Sequence, residues 1–153
     1  MVKVVNSTVI RAPIDAVWHV LRDFNGHDRW HPAVDISQIE RGRRSDMVGC
    51  VRSFKLADGS ALREQLLALS DSQTSFSYCL LDTPVPLLNY VAHVELIPVT
   101  DGDRTFWRWQ AEFSTPRGMQ DELVDLVGNG IQIAGFEAIR EITEGAAQAA
   151  NLS

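Results

Sequence analysis

Apolar and polar residues alternate along most of this chain, and the alternation recurs in seven segments. Successive side chains of a β-strand point to opposite faces, so a period of two is typical of strands with one buried face. The pattern predicts strands at about residues 2–11, 33–41, 48–56, 60–70, 73–81, 88–98 and 104–115. Because turn-like stretches such as Ala57-Asp58-Gly59 separate the strands, we expect consecutive strands to pair antiparallel.

A period of 3.6 residues replaces the alternation in two places. Pro13 and Asp15 mark a helix start after the first strand, and a second, short helical turn is expected at residues 27–31, before Pro32. Residues 118–143 predict a long C-terminal helix with an apolar stripe of Leu123, Val127, Ile131, Ala134, Ala138 and Ile142. The elements together predict an α+β fold: a curved seven-stranded antiparallel sheet wrapped around a long C-terminal helix, with two short helices after strand 1.

Composition limits the classes of protein to consider. The 153 residues fit one domain, expected at residues 1–144, followed by a frayed tail at residues 145–153. A net charge of −6 argues against nucleic-acid binding, which requires a basic surface. No apolar stretch is long enough for membrane insertion, and Met1 is followed by strand-like sequence instead of a secretory leader. We therefore expect a cytoplasmic protein without a cofactor, as a monomer or a homodimer.

The two cysteines, Cys50 and Cys79, lie far apart in the sequence and lack the spacing of a metal site. The alternation places Cys50 on the inner face of the sheet and Cys79 on the outer face. A disulfide between them is therefore not expected.

Two charged residues occupy positions at which the predicted strands need apolar ones. Arg52 shares a face with Phe54, and Glu64 shares one with Leu62 and Leu66. If residues 57–59 form the hairpin loop, Arg52 lies directly opposite Glu64. The two residues then form either a neutralised ion pair that specifies the strand register or a polar anchor for a ligand.

Aromatic residues share the same inner face. Tyr78 and Tyr90 carry hydroxyl groups that need partners when buried, and Trp107 and Trp109 offer large apolar surfaces. These tryptophans either fill the core or stack against a ligand ring. The expected ligand-binding residues are Arg52, Glu64, Tyr78, Tyr90, Trp107, Trp109, Phe54, Leu123, Val127 and Ile131.

The histidines are candidates for metal ligands and for general bases. His27 and His31 have a spacing of four, but the segment lacks the additional ligand and the glutamate that zinc enzymes use, so no metal site is predicted. His31 is expected to shape the entrance to a cavity. The parity of His93 places it on the outer face, which excludes it as a general base inside the fold.

Several short motifs recur in a known family in this order: residues 10–18, Trp30-His31-Pro32, Gly49-Cys50-Val51-Arg52, residues 63–66 and Leu88-Asn89-Tyr90. The chain resembles the START/polyketide-cyclase (SRPBCC) superfamily, which has the helix-grip fold. Its bacterial polyketide cyclase/dehydrase-like and plant abscisic-acid-receptor-like branches are the most similar. The resemblance implies a ligand cavity between the sheet and the long helix.

In the receptor-like branch, an inward acid and an inward arginine organise the polar groups of the ligand, and the resemblance assigns these positions to Glu64 and Arg52. The hairpin at residues 56–59 and the loop at residues 82–86 match the gate and the latch of that branch. Tyr90, which follows the second loop, is accordingly expected near the cavity mouth. Both loops lack the receptor sequences Ser-Gly-Leu-Pro and His-Arg-Leu, so closure upon hormone binding is not implied.

Three functions remain open from the sequence. The leading one is binding or carriage of a small, mostly apolar or amphipathic molecule, including a lipid. The second is a cyclase or dehydratase in which Glu64 acts as general acid/base and Arg52 or Tyr90 polarises a carbonyl. The third is a protein-interaction or stress-response module, which would have a filled interior.

Overall fold

The computed structural model of the protein describes the backbone of residues 1–152 and the side chains of residues 1–146. Seven strands form one antiparallel sheet in the order β1-β7-β6-β5-β4-β3-β2, as the alternation predicts. The strands are β1 Val2–Ile10, β2 Val34–Ile39, β3 Val51–Leu56, β4 Ala61–Ser70, β5 Ser75–Asp82, β6 Leu88–Val99 and β7 Arg104–Ser114.

Local backbone geometry ends one strand earlier and begins another later than the sequence predicts. Strand β2 stops at Ile39 because a 3-10 turn at Glu40–Gly42 follows, in which Arg41 has a φ of 61°. Strand β5 begins only after Thr74, which has a φ of 47°. Left-handed residues of this kind interrupt the regular ladder, as Asn89 does within β6, where the pairing register shifts.

Two short helical elements follow β1 and cover one end of the concave face. The helix α1 spans Ile14–Leu21 and buries Val17 and Leu21. A 3-10 helix spans Phe24–Arg29, so it starts three residues before the predicted turn and brings His27 into its buried face.

A continuous helical segment at residues 120–152 packs across the concave face of the sheet. It consists of α2 at Gln120–Asp125, a π-helical stretch at Leu126–Ile133 and α3 at Ala134–Leu152. The helix is longer than predicted and includes backbone of the expected frayed tail. Fraying itself stays a prediction, because the tail's side chains from residue 147 onward and all of residue 153 lie outside the described residues. Among the described residues, no helix is long and apolar enough to span a membrane.

The core lies between the concave face of the sheet and this helical segment. Trp107, Phe113, Phe136 and Ile139 are almost completely buried there. The helix approaches the sheet closely at Gly135, where an added Cβ atom would lie 2.7 Å from Cζ3 of Trp109. A glycine at this position therefore permits the close packing of helix and sheet.

A buried glutamine attaches the π-helical stretch to the edge strand. The side chain of Gln132 accepts a hydrogen bond from Asn6 Nδ2 at 2.7 Å and donates one to the carbonyl oxygen of Val4 at 3.2 Å. Gln132 is fully buried, so these bonds satisfy an amide that would otherwise destabilise the core.

Candidate functional site

The structure contains a cavity of about 140 Å³ between the concave face of the sheet, the 3-10 helix and the π-helical stretch. Eight of the ten predicted ligand-binding residues line it: Arg52, Phe54, Glu64, Tyr78, Tyr90, Trp107, Trp109 and Ile131. Ligand binding by these residues stays a prediction, but the structure brings them to one place.

Two predicted residues, Leu123 and Val127, are buried without lining the cavity. Leu123 lies in α2, before the π-helical stretch, and both residues belong to the buried core. Leu126, Gly130 and Ile131 face the cavity from the helical segment instead.

Arg52 and Glu64 pair across β3 and β4 in the register predicted from the hairpin turn. The Nε and Nη2 atoms of Arg52 donate hydrogen bonds to Glu64 Oε1 at 3.0 and 2.7 Å. Both side chains are buried, with 6% and 7% of each residue exposed. The ion pair thus balances two buried charges, which would each be costly alone.

The third nitrogen of Arg52 links the sheet to the 3-10 helix. Its Nη1 donates a hydrogen bond to the carbonyl oxygen of Phe24 at 2.5 Å, and the guanidinium carbon lies 3.9 Å from the centre of the Phe24 ring. The same carbon lies 5.0 Å from the Tyr78 ring centre. Hydrogen bonds and cation–π contacts therefore fix the guanidinium from three sides.

Burial dominates the ionisation of the acidic groups in the cavity. It raises the pKa of the Glu64 carboxyl, although the Arg52 charge opposes this rise. Burial also raises the pKa values of the Tyr78 and Tyr90 hydroxyls, and the nearby Glu64 charge adds to both. The two tyrosines are therefore neutral at physiological pH and offer hydroxyl groups for hydrogen bonding.

Tyr90 lies deeper than the predicted cavity mouth. It is 3% exposed, and its ring stacks on Phe113 with centres 5.8 Å apart. The loops that match a gate and a latch instead contribute Leu56 and Val85, which are half-buried cavity residues. A gating role of these loops stays a prediction.

The histidines of the 3-10 helix region have different environments. The Nδ1 atom of His31 accepts a hydrogen bond from the backbone N–H of Ala33 at 3.1 Å, so its proton resides on Nε2, which lies 2.9 Å from the carbonyl oxygen of Ile131. Burial lowers the pKa of His31, although the bond to Ile131 opposes this. Both histidines line the cavity.

His27 packs edge-on against Phe54, with ring centres 4.7 Å apart. Burial lowers the pKa of His27 well below its ordinary value, and the Arg52 charge lowers it further. Its imidazole is therefore neutral. The sequence pairs His27 with His31 only as a possible metal site, and within the described residues no group of three potential ligands exists.

Five buried side-chain nitrogen atoms in the described part of the chain have no hydrogen-bond partner: both ring nitrogens of His27 and the Nε1 atoms of Trp30, Trp107 and Trp109. All four residues line the cavity. An unsatisfied buried donor typically costs about 1–3 kcal/mol, so these groups lower the stability of the fold unless a water or a ligand satisfies them. Sequence reasoning missed Trp30 and the polar contribution of the other tryptophans, because aromatic positions on an inner face are typical of any core.

His93 lies outside this site, on the outer face of the sheet as its parity predicts. Its Nδ1 atom is 2.7 Å from Ser77 Oγ, and it pairs across the strands with Gln110. Both cysteines are free, with Cys50 buried and Cys79 partly exposed on the outer face, as expected.

Comparisons with solved structures agree with the fold. A protein from Thermobifida fusca is 29% identical, with a TM-score of 0.82 over 94% of this chain and 93% of that one. The protein XoxI from Bacillus cereus is 23% identical, with a TM-score of 0.83 over 94% of this chain and 96% of that one.

The aromatase/cyclase ZhuI from Streptomyces sp. R1128 is 20% identical, with a TM-score of 0.78 over 97% of each chain. An identity this low shows the fold alone. None of the curated proteins matches the sequence significantly. The family model described as "Polyketide cyclase / dehydrase and lipid transport" matches residues 1–147, and this chain belongs to that family.

Proposed function

We propose that the protein binds or carries a small, mostly apolar molecule in the cavity between its sheet and its C-terminal helical segment. The observation that carries this proposal is the cavity itself, in which aromatic walls surround one buried, neutralised ion pair. Ligand sites typically combine a mostly apolar lining with a few polar groups that fix orientation.

The Arg52–Glu64 pair supports an orienting role. Glu64 Oε1 accepts both bonds from Arg52, and Oε2 accepts none from the described residues. Oε2 is therefore available to a ligand hydroxyl or amine. The apolar walls supply affinity, while this oxygen and the tyrosine hydroxyls distinguish one end of the ligand from the other.

The cavity also favours ligand binding over a protein-interaction module, since that alternative requires a filled interior. Side chains such as Ile36 and Val48 are more than half exposed, but single exposed apolar residues are normal on protein surfaces.

Native mass spectrometry of the protein purified from its own host tests the proposal. We expect a retained small molecule on the wild-type protein and its loss from a Leu80→Phe variant, because Leu80 lines the cavity beside Glu64. Leu81→Phe is the matched control, since Leu81 is 43% exposed and lies outside the cavity. A folded Leu80→Phe variant that keeps the molecule as well as Leu81→Phe does would contradict the proposed site.

One observation favours catalysis as a second candidate. Burial raises the pKa of Glu64, which is the direction of change that a general acid/base needs, and Tyr90 and Arg52 lie in the same cavity. A cyclase or dehydratase would use Glu64 to move a proton and Arg52 or Tyr90 to polarise a carbonyl oxygen.

Replacement of Glu64 by Gln separates the two candidates, because it retains the side-chain shape but cannot transfer a proton at neutral pH. An enzyme would lose turnover and keep substrate affinity, whereas a carrier would have no turnover to lose. Unchanged turnover and unchanged ligand affinity in a folded Glu64→Gln variant would exclude Glu64 from both roles.

A further inference from the structure

The cavity comes close to the protein surface beside the 3-10 helix. A surface groove runs there between α1, the 3-10 helix, the loop at residues 44–46 and Ile142 of α3. Among the described residues, only Asp23 and Trp30 line both this groove and the cavity. At this point a single layer of side chains therefore separates the cavity from the groove.

Trp30 is held less firmly than the other tryptophans of the cavity. It is half-buried, whereas Trp107 and Trp109 are 0% and 5% exposed. Its ring meets Trp107 edge to face with centres 6.5 Å apart, and its Nε1 atom has no hydrogen-bond partner among the described residues. The indole of Trp18, by contrast, is fixed by a 2.8 Å bond to Asp71. Rotation of the Trp30 side chain therefore breaks no hydrogen bond of its indole.

Outward rotation would also hydrate a group that is sealed in the closed conformation. The Nε1 atom of Trp30 has less than 1 Å² of accessible surface and donates to no described residue. An unsatisfied buried donor destabilises the conformation that contains it. Exposure of the indole to the groove would let water accept this hydrogen bond, which offsets part of the cost of moving the ring out of the core.

An exposed ion pair closes over the same 3-10 helix. Arg29 Nη2 lies 2.6 Å from Asp23 Oδ2, and 71% and 35% of the two side chains are exposed. The pair fits because residue 26 is glycine: an added Cβ atom would lie 2.8 Å from Arg29 Nη2 and 3.0 Å from Asp23 Oδ2. It joins Asp23, which precedes the 3-10 helix, to the residue before Trp30. Because exposed ion pairs are weak, this one can open and close readily.

We propose that the ligand enters the cavity from the groove when the Trp30 side chain rotates outward, and that the Asp23–Arg29 pair restrains this rotation. The inference rests on the proposed binding function and adds the route by which the ligand arrives. The route differs from the gate and latch that the family resemblance implies, because Leu56 and Val85 from those two loops do not line the groove.

Hydrogen exchange of the indole N–H groups tests the movement without any ligand. The four tryptophan signals of a ¹H–¹⁵N spectrum are assigned by replacing each tryptophan in turn by phenylalanine. We expect the Trp30 N–H to exchange about tenfold faster than those of the two other cavity tryptophans, and Arg29→Gln to accelerate it about fivefold. Arg44→Gln is the matched control, because its 2.7 Å pair with Asp46 lies in the same groove but outside the cavity.

Binding kinetics test whether the movement admits a ligand. Fluorobenzene is the probe, because a cavity of about 140 Å³ is close to the roughly 150 Å³ cavity that accommodates benzene in an engineered protein. Its association and dissociation rates follow from ¹⁹F exchange spectra. We expect Arg29→Gln to raise both rates about fivefold and to leave Kd unchanged, since Arg29 does not line the cavity. Gly26→Ala displaces the same ion pair and should act alike.

A variant of the implied gate separates the two routes. Asp58→Ala removes a 2.8 Å bond to the backbone N–H of Ser60 in the β3–β4 hairpin, and it should leave both rates unchanged. Faster binding and release in Asp58→Ala but not in Arg29→Gln would place the entrance at the hairpin and overturn the inference.

Other outcomes would also contradict the route while the proposed binding function stood. These are a Trp30 N–H that exchanges only with global unfolding, and unchanged probe kinetics in Arg29→Gln. An effect of Arg44→Gln as large as that of Arg29→Gln would assign the change to the charge of the groove and overturn the role of the Asp23–Arg29 pair. If fluorobenzene did not bind, entry of a molecule of this size would be wrong, and native mass spectrometry would decide the proposed function separately.

Discussion

Both hydrogen bonds from Arg52 to Glu64 end on the same carboxylate oxygen, Oε1, at 3.0 and 2.7 Å. The pair is therefore close and well aligned, yet it leaves the second oxygen of Glu64 without a bond from the described residues. Oε1 of Glu64 thus holds the ion pair together, while Oε2 stays available as a hydrogen-bond acceptor.

Removal of one partner should destabilise the fold more than removal of both. Arg52→Met leaves the buried Glu64 carboxyl group without its partner, so that it is either charged and unpaired or must take up a proton. We expect the free energy of unfolding to fall by about 3–5 kcal/mol, and Arg52→Met/Glu64→Met to recover most of this loss. Urea unfolding measures both effects.

The control for this prediction is Asp82→Asn, which breaks a bond of 2.6 Å to Arg63 on the exposed face. It should cost less than about 1 kcal/mol. A double variant as unstable as Arg52→Met alone would contradict the expected charge balance.

The depressed pKa of His27 should make stability depend on pH. The unfolded histidine binds a proton below its ordinary pKa of 6.5, whereas the buried ring does not, so the free energy of unfolding falls as pH drops through 6.5 towards the folded pKa. One such histidine contributes a slope of up to about 1.4 kcal/mol per pH unit. Urea unfolding between pH 7.5 and pH 5 should therefore show a smaller loss for His27→Phe than for the wild-type protein.

Two other groups make a comparison of variants necessary. The lowered pKa of His31 also makes the free energy of unfolding fall as the pH drops. The raised pKa of Glu64 has the opposite effect on the free energy of unfolding. His19→Gln, at an exposed position of α1, is the control. Equal pH slopes for wild type and His27→Phe would show that His27 is not held neutral by burial.

A methyl group at Gly135 should destabilise the protein despite the better helix propensity of alanine. The new Cβ atom would lie 2.7 Å from Trp109 Cζ3 and 3.4 Å from His31 Cδ2, and the stacked indole has little room to move. We expect Gly135→Ala to cost about 1–3 kcal/mol in thermal or urea unfolding.

Gly145 provides the matched control in the same helix, since nothing lies within 4 Å of its added Cβ atom. Gly145→Ala should be neutral or stabilise the protein by up to about 1 kcal/mol. If both variants gained stability equally, the close approach of helix and sheet at Gly135 would not be a constraint.

The two free thiols should react at different rates. Cys50 is fully buried, whereas Cys79 is partly exposed, and burial raises the pKa of both. We expect a thiol-specific disulfide reagent to modify Cys79 first and Cys50 only with unfolding. The Cys79→Ser variant should lose the fast phase, and a fast phase that persisted in it would contradict the burial of Cys50.

The strand register near Arg52 could be predicted from sequence because it depends on local counting. Gly59 has a φ of 89°, and the turn that contains it fixes which residues of β3 and β4 face each other. The alternation then gives the inner face without any knowledge of the rest of the fold.

The helical wall of the cavity could not be predicted in the same way. The stripe predicts that Leu123 and Val127 face inward, and both are buried, but it does not indicate which part of the buried face meets the cavity. The contact between His27 and Phe54 likewise joins two distant elements through tertiary packing. Periodicity predicts which side chains of a helix or strand are buried, but it does not predict which residues of other elements they contact.

The π-helical stretch also suggests how cavities of this kind diversify. Each residue of an α-helix advances the side-chain direction by about 100°, so deletion of one residue within Leu126–Ile133 would regularise the turn and exchange the side chains facing the sheet. The strands, the Arg52–Glu64 pair and the aromatic walls would keep their positions. A single-codon insertion or deletion in this helix would therefore change the side chains that line the cavity, without any substitution in the sheet.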